Sequence, residues 1–100
     1  MSASVSLTNS WSNGNQFVRD YSLIIYNDSG DNISGWSCVL NKDADVSIIG
    51  LWGASFIDQE SIVLINGSNS IANGESIKIN FQAASVSSDF SISVSSVNKS

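Results

Sequence analysis

The stretch Ile77-Lys78-Ile79-Asn80-Phe81-Gln82-Ala83 decides the fold. Apolar and polar residues alternate through it without a fault, the period of a β-strand with one face buried and the other wet. The same pattern recurs on both sides of it. Phe90-Ser91-Ile92-Ser93-Val94 follows, and Ser61-Ile62-Val63-Leu64-Ile65, Val46-Ser47-Ile48-Ile49 and Trp36-Ser37-Cys38-Val39-Leu40 precede it. Further back stand Tyr21-Ser22-Leu23-Ile24-Ile25-Tyr26 and Val5-Ser6-Leu7. Turn formers separate these runs: Ser12-Asn13-Gly14-Asn15, Asn27 to Asn32, Asn41-Lys42-Asp43, Asn66 to Asn69, and Asn73-Gly74. No segment carries a helical repeat with caps. Seven or eight short strands in 100 residues predict an all-β fold, an antiparallel β-sandwich of immunoglobulin-like or jelly-roll type, as a single domain over 1–100. The Ser-rich tail from Ser95 to Ser100 reads as the start of a linker to a neighbouring module.

Composition narrows the function. Charged residues make up 13% of the chain, against about 25% in an average soluble domain. Ser, Asn and Gly stand in their place, a surface of neutral hydrogen-bonding groups suited to hydroxyl-rich ligands. A net charge of −5 with four basic residues, Arg19, Lys42, Lys78 and Lys99, argues against nucleic acid or an anionic membrane as partner. No apolar run is long enough to span a bilayer. Met1-Ser2-Ala3-Ser4 has neither the basic nor the apolar region of a signal peptide. Either the protein is cytosolic or it is an excised module whose export signal lies elsewhere, and the composition favours the second, a secreted, extracellular module.

Catalytic chemistry is thinly supplied. There is no histidine, and the one cysteine, Cys38, lies in an apolar strand, where a small buried hydrophobe is expected. Zinc, copper and non-haem iron sites lean on His and Cys, so no metal and no cofactor is expected. Asp28, Asp31 and Asn32 match no calcium loop and read as a solvated turn. The acids fall mostly in or beside turns, not as a carboxylate pair. The expectation is a binding module, not an enzyme.

The three tryptophans divide. Trp36 opens an apolar strand, with Cys38 and Leu40 following at strand spacing, and is expected in the core. Trp11 is flanked by polar residues in Thr8-Asn9-Ser10-Trp11-Ser12-Asn13-Gly14, and Trp52 lies between glycines in Gly50-Leu51-Trp52-Gly53. Both read either as caps on the ends of the core or as exposed platforms. A flat indole matches the C–H face of a pyranose, and neighbouring amides bind its hydroxyls.

In this order, Trp11 to Gly14, Phe17, Leu23 to Asn27, Ile33 to Trp36, Trp52 to Ala54 and Ile71 to Gln82 resemble family 2 carbohydrate-binding modules over nearly the whole chain. A comparable Leu-Trp-Gly occurs in plant-type family 49 modules. The resemblance implies a β-sandwich that binds cellulose, or in some members xylan or chitin, as an appendage of secreted glycoside hydrolases. It places Trp36 on the family's buried Trp, Trp11 and Trp52 on two of its surface binding Trp, and Asn9 and Gln82 on polar positions near that face. The family's third surface Trp falls where this chain has Asn66-Gly67-Ser68-Asn69, and its terminal disulfide is missing.

With Leu23 and Ile25 inward, Ser22, Ile24 and Tyr26 point out, and Tyr26 either supplies the third aromatic contact or covers an edge. The reading is a non-catalytic module that holds cellulose or a related β-linked cell-wall polysaccharide on Trp11 and Trp52 and targets an attached catalytic module. Two coplanar rings two strands apart are expected roughly 10 Å from each other. A xylan or mixed-glucan binder, and a structural or adhesion sandwich without a sugar site, are the alternatives.

Overall fold

A computed structural model describes all residues, 1–100. Eight strands form two four-stranded antiparallel sheets: β1 (Ser2–Asn13), β2 (Gln16–Tyr26), β3 (Trp36–Lys42), β4 (Val46–Trp52), β5 (Ser55–Asp58), β6 (Ile62–Gly67), β7 (Ser76–Ser85) and β8 (Ile92–Lys99). The first sheet has the order β1-β2-β7-β4 and the second β5-β6-β3-β8. The expected β-sandwich is the fold of the chain.

The core lies between the sheets and follows the alternation. Leu23 and Ile25 of β2, Ile79, Phe81 and Ala83 of β7, Cys38 and Leu40 of β3, and Val63 and Ile65 of β6 are all buried. Tyr21 and Phe81, opposite each other on β2 and β7, stack with centroids 5.2 Å apart and planes 15° from parallel. Trp36 is fully buried, as expected, and its ring passes over Gly67, its partner across the β3–β6 ladder. A Cβ on Gly67 would stand 2.2 Å from the indole, so only glycine fits there. Trp36 Nε1–H donates to Asn69 Oδ1 at 3.2 Å. The segment 66–69 is thus taken up in housing the core indole. Cys38 is buried, and desolvation pushes its thiol up to about 11, in keeping with an inert packing residue.

Two buried polar residues close the ends. Asn27 has no exposed surface; its Nδ2 donates to the carbonyls of Asp31 and Ile71, while its Oδ1 accepts from the backbone and hydroxyl of Ser29. It fastens the exposed 28–32 turn to the loop before β7. Lys42 Nζ donates to the carbonyls of Val46 and Glu60 and pairs with Asp58 at 3.0 Å; Asp58 in turn accepts from the backbone of Ile48. That chain of contacts ties β4 of one sheet to β5 of the other.

The strands run further than the sequence pattern indicates, three of them through an irregular rung. The tail read as a linker is strand: Ser96, Val97, Asn98 and Lys99 pair with β3. The ladder slips between Val39 and Leu40, so Val97 faces the core three residues after Val94. The slip broke the period-two signal. Likewise β1 continues past Leu7 through a shift between Leu7 and Asn9, and β4 past Ile49 through one between Ile48 and Gly50. The short β5 was not expected.

Candidate functional site

The outward face of the β1-β2-β7-β4 sheet carries the candidate residues. On β7, Ile77, Ile79, Phe81 and Ala83 face the core, so Lys78, Asn80, Gln82 and Ala84 face out. Cross-strand partners share a face, so the ladder gives the outward rungs directly. Trp11 lies opposite Val18, which lies opposite Ala84; Asn9, Asp20, Gln82 and Gly50 form the next rung; Ser22, Asn80 and Trp52 belong to the one after it.

Simple alternation does not put the tryptophans there. Val5 and Leu7 share the inward parity of β1, and position 11 continues it; Val46 and Ile48 do the same on β4 for position 52. Each strand inserts one extra residue before its tryptophan, Thr8 in β1 and Ile49 in β4. An inserted residue reverses the face of everything after it. Both bulges lie beside the Asp20–Gln82 rung, on the two edge strands. Trp11 and Trp52 therefore emerge on the same side of the same sheet, 39% and 57% exposed. The capping alternative is set aside: neither ring belongs to the core.

Their spacing differs from the expected one. Because β1 and β4 are the two edges of the sheet, three strand intervals separate Trp11 from Trp52, and their rungs are offset along the strands. Ladder spacings then put the two Cα atoms about 20 Å apart, not 10 Å. The platforms stand at opposite corners, across a span of several pyranose rings.

Trp52 is seated on a glycine. A Cβ at Gly50 would lie 2.8 Å from Trp52 Cη2 and 3.0 Å from Cζ2, so the indole rests over the bare Cα two residues back. The ring is held against the sheet with its other side open. Beside it runs a recess of about 370 Å³ lined by Thr8, Asp20, Ser22, Trp52, Lys78 and Asn80; Tyr21 and Phe81 also border it, while their stacked rings point to the core on the other side of the sheet. Ser22 Oγ donates to Asn80 Oδ1 at 3.1 Å, and Thr8 Oγ1 to the backbone oxygen of Asp20, also at 3.1 Å. A second recess of about 290 Å³ includes Trp11, Phe17, Val18 and Arg19. Arg19 closes that end: its guanidinium lies 4.4 Å from the Phe90 ring centre and donates to the carbonyls of Phe90 and Ser88.

The remaining residues singled out from the sequence lie on this face too. Asn9 and Gln82 share the rung between the two indoles, Asn9 exposed and Gln82 half-buried. Asn9 Oδ1 accepts from the backbone of Ser10 at 2.9 Å. Tyr26 is 40% exposed at the far end of β2, opposite Ser2 and Ser76 and away from the line between the tryptophans. Sequence patterning does not single out Thr8, Asp20 and Asn80. Asp20 precedes the run that opens at Tyr21 and so groups with the turn acids; its parity against Tyr21 is the available signal.

Among solved structures the chain is similar to the chitin-binding domain of Chi18aC from Streptomyces coelicolor, with a TM-score of 0.63 and 16% identity over 98% of this chain and 91% of that one. It is similar to the cellulose-binding family 2 carbohydrate-binding domain of ScLPMO10C, with a TM-score of 0.65 and 21% identity over 92% and 89% of the two chains. The likeness is one of fold. It extends to chitinase ChiA74 from Bacillus thuringiensis, with a TM-score of 0.67 and 18% identity, where the 93% of this chain that aligns corresponds to 15% of the enzyme. No family model and no curated protein matches the sequence.

Proposed function

We propose that this chain is a non-catalytic carbohydrate-binding module that holds a β-linked polysaccharide, cellulose or a close relative, across the outward face of the β1-β2-β7-β4 sheet. Trp11 and Trp52 act as stacking platforms for sugar rings. Asn9 and Gln82 bind hydroxyls between them, and Tyr26 extends the face for a longer chain. The module brings an attached glycoside hydrolase to its substrate outside the cell. The observation that carries this reading is the emergence of two indoles on one wall, each turned outward by its own bulge. A rigid sheet presenting flat apolar rings among amides and hydroxyls needs no rearrangement to bind, so little ordering entropy opposes association. The named ligands of proteins with this fold, chitin and cellulose, support the same class.

Retention on microcrystalline cellulose and on chitin tests the proposal. Trp52→Ala is expected to abolish retention and to lower unfolding stability by less than about 1 kcal/mol, as for a half-exposed side chain. Trp11→Ala is expected to abolish retention as well, with a somewhat larger loss of stability because less of the ring is exposed. Undiminished retention by both variants on whichever polymer binds the parent chain sinks the proposal. Which polymer retains the parent chain more strongly identifies the ligand.

A further inference from the structure

The middle of the face holds a carboxylate without a partner. Asp20 sits half-buried on the rung between the indoles, flanked by Asn9 and Gln82, and lines the recess beside Trp52. The Thr8 hydroxyl bonds its backbone oxygen, not its side chain. The two ion pairs of the molecule, Met1 with Asp28 and Lys42 with Asp58, lie elsewhere. Of the four basic residues, Arg19 is engaged by the carbonyls of Phe90 and Ser88, Lys42 by Asp58, and Lys99 belongs to the other sheet. Lys78 lines the same recess, but it stands four residues along the ladder, opposite Ile24, and makes no ion pair with Asp20. The carboxylate thus faces the path from Trp11 to Trp52.

An ionised carboxylate only accepts hydrogen bonds. A polymer lying over it must bring donors, and its other side must bear no negative charge close by. Such charge-assisted bonds are short and about twice as strong as neutral ones. A like charge in the same place is repelled instead, and a net charge of −5 adds to that repulsion at low salt.

We propose that Asp20 is a specificity residue of this face, admitting sugar chains that present hydroxyl or ammonium donors over the central rung and turning away polysaccharides that carry carboxylates. The inference rests on the sugar-binding reading above and adds to it the electrical character of the ligand.

Affinity electrophoresis in three gels tests it, with hydroxyethylcellulose as the neutral polymer, carboxymethylcellulose as the anionic one and glycol chitosan as the amine-bearing one. The parent chain is expected to bind the first and third, and the anionic gel at least about tenfold more weakly. Asp20→Asn, confirmed as folded by thermal unfolding, is expected to bring the anionic gel to within about threefold of the neutral one and to weaken binding to glycol chitosan about tenfold. Asp20→Ser, uncharged like Asp20→Asn but with a shorter side chain, is expected to give the same loss of discrimination. Glu60→Gln, which removes an exposed charge between β5 and β6 of the opposite sheet, is expected to match the parent chain in all three gels. Equal behaviour of Asp20→Asn and Glu60→Gln would assign the discrimination to overall charge and overturn the role of Asp20, leaving sugar binding intact. A parent chain retarded by none of the three polymers overturns this inference, and its retention on microcrystalline cellulose or chitin then decides whether the sugar-binding reading falls with it.

Discussion

Trp36 and Trp52 each lie over a glycine, one inside the molecule and one on its surface. Trp36 projects between the sheets and covers Gly67 across the ladder; Trp52 projects from the outward face and covers Gly50 on its own strand. In both pairs the missing Cβ lets an indole approach the backbone. The inner ring is enclosed on every side and anchored through Asn69, so it serves as packing. The outer ring is supported from below and open above, which makes it a platform. The same local device thus yields core or surface according to the face the strand presents, and on β4 the irregular rung takes up Ile49 while Gly50 and Trp52 keep their outward partners Gln82 and Asn80.

The largest expected effect comes from filling the inner seat. Gly67→Ala would set a methyl 2.2 Å from a ring with nowhere to move. Overpacking of this severity is expected to cost about 3 kcal/mol, lowering Tm by about 15 °C for a domain of this size. Denaturant and thermal unfolding measure it; a loss under about 1 kcal/mol would show that the inner ring is not confined. The outer seat should respond differently. Gly50→Ala sets a methyl 2.8 Å from the far edge of an indole that has solvent above it. The ring lifts, stability changes by less than about 1 kcal/mol, and polysaccharide affinity drops about tenfold as the platform tilts. If Gly50→Ala unfolds the protein as Gly67→Ala does, the contrast between the seats fails.

The smallest effect is expected from deleting Ile49. This residue is the extra one in β4 and is largely exposed. Without it the ladder closes, Gly50 still meets Gln82, and Trp52 keeps its outward rung. Acrylamide quenching of Trp52 fluorescence, measured in a Trp11→Phe background, is expected to remain within about twofold of the parent value, because the number of residues between neighbouring rungs becomes regular without changing which face follows. A shielded Trp52 in the deletion would mean that Ile49 itself holds the face.

Alternation in Ile77 to Ala83, in Tyr21 to Tyr26 and in Trp36 to Leu40 was enough to predict the sandwich, its core and the burial of Trp36, because a two-residue period along a strand is a local property. The same property explains what escaped. Alternation ends at Leu7 in β1, at Ile49 in β4 and at Val94 in β8, in each strand at the place where an irregular rung reverses the parity. Asn9 and Gln82 were singled out by resemblance, yet Asp20 and Asn80 beside them were not, since membership of a shared rung depends on register between strands far apart in the chain.

Composition and short-range period are thus enough to specify the fold class, the core and the shortage of catalytic groups. That Trp11 and Trp52 share a wall, that about 20 Å separates them and that Asp20 stands between them emerges only in the assembled sheet. Those facts depend on strand order and on bulges, which arise from hydrogen bonding between distant segments and leave no periodic mark in either segment alone.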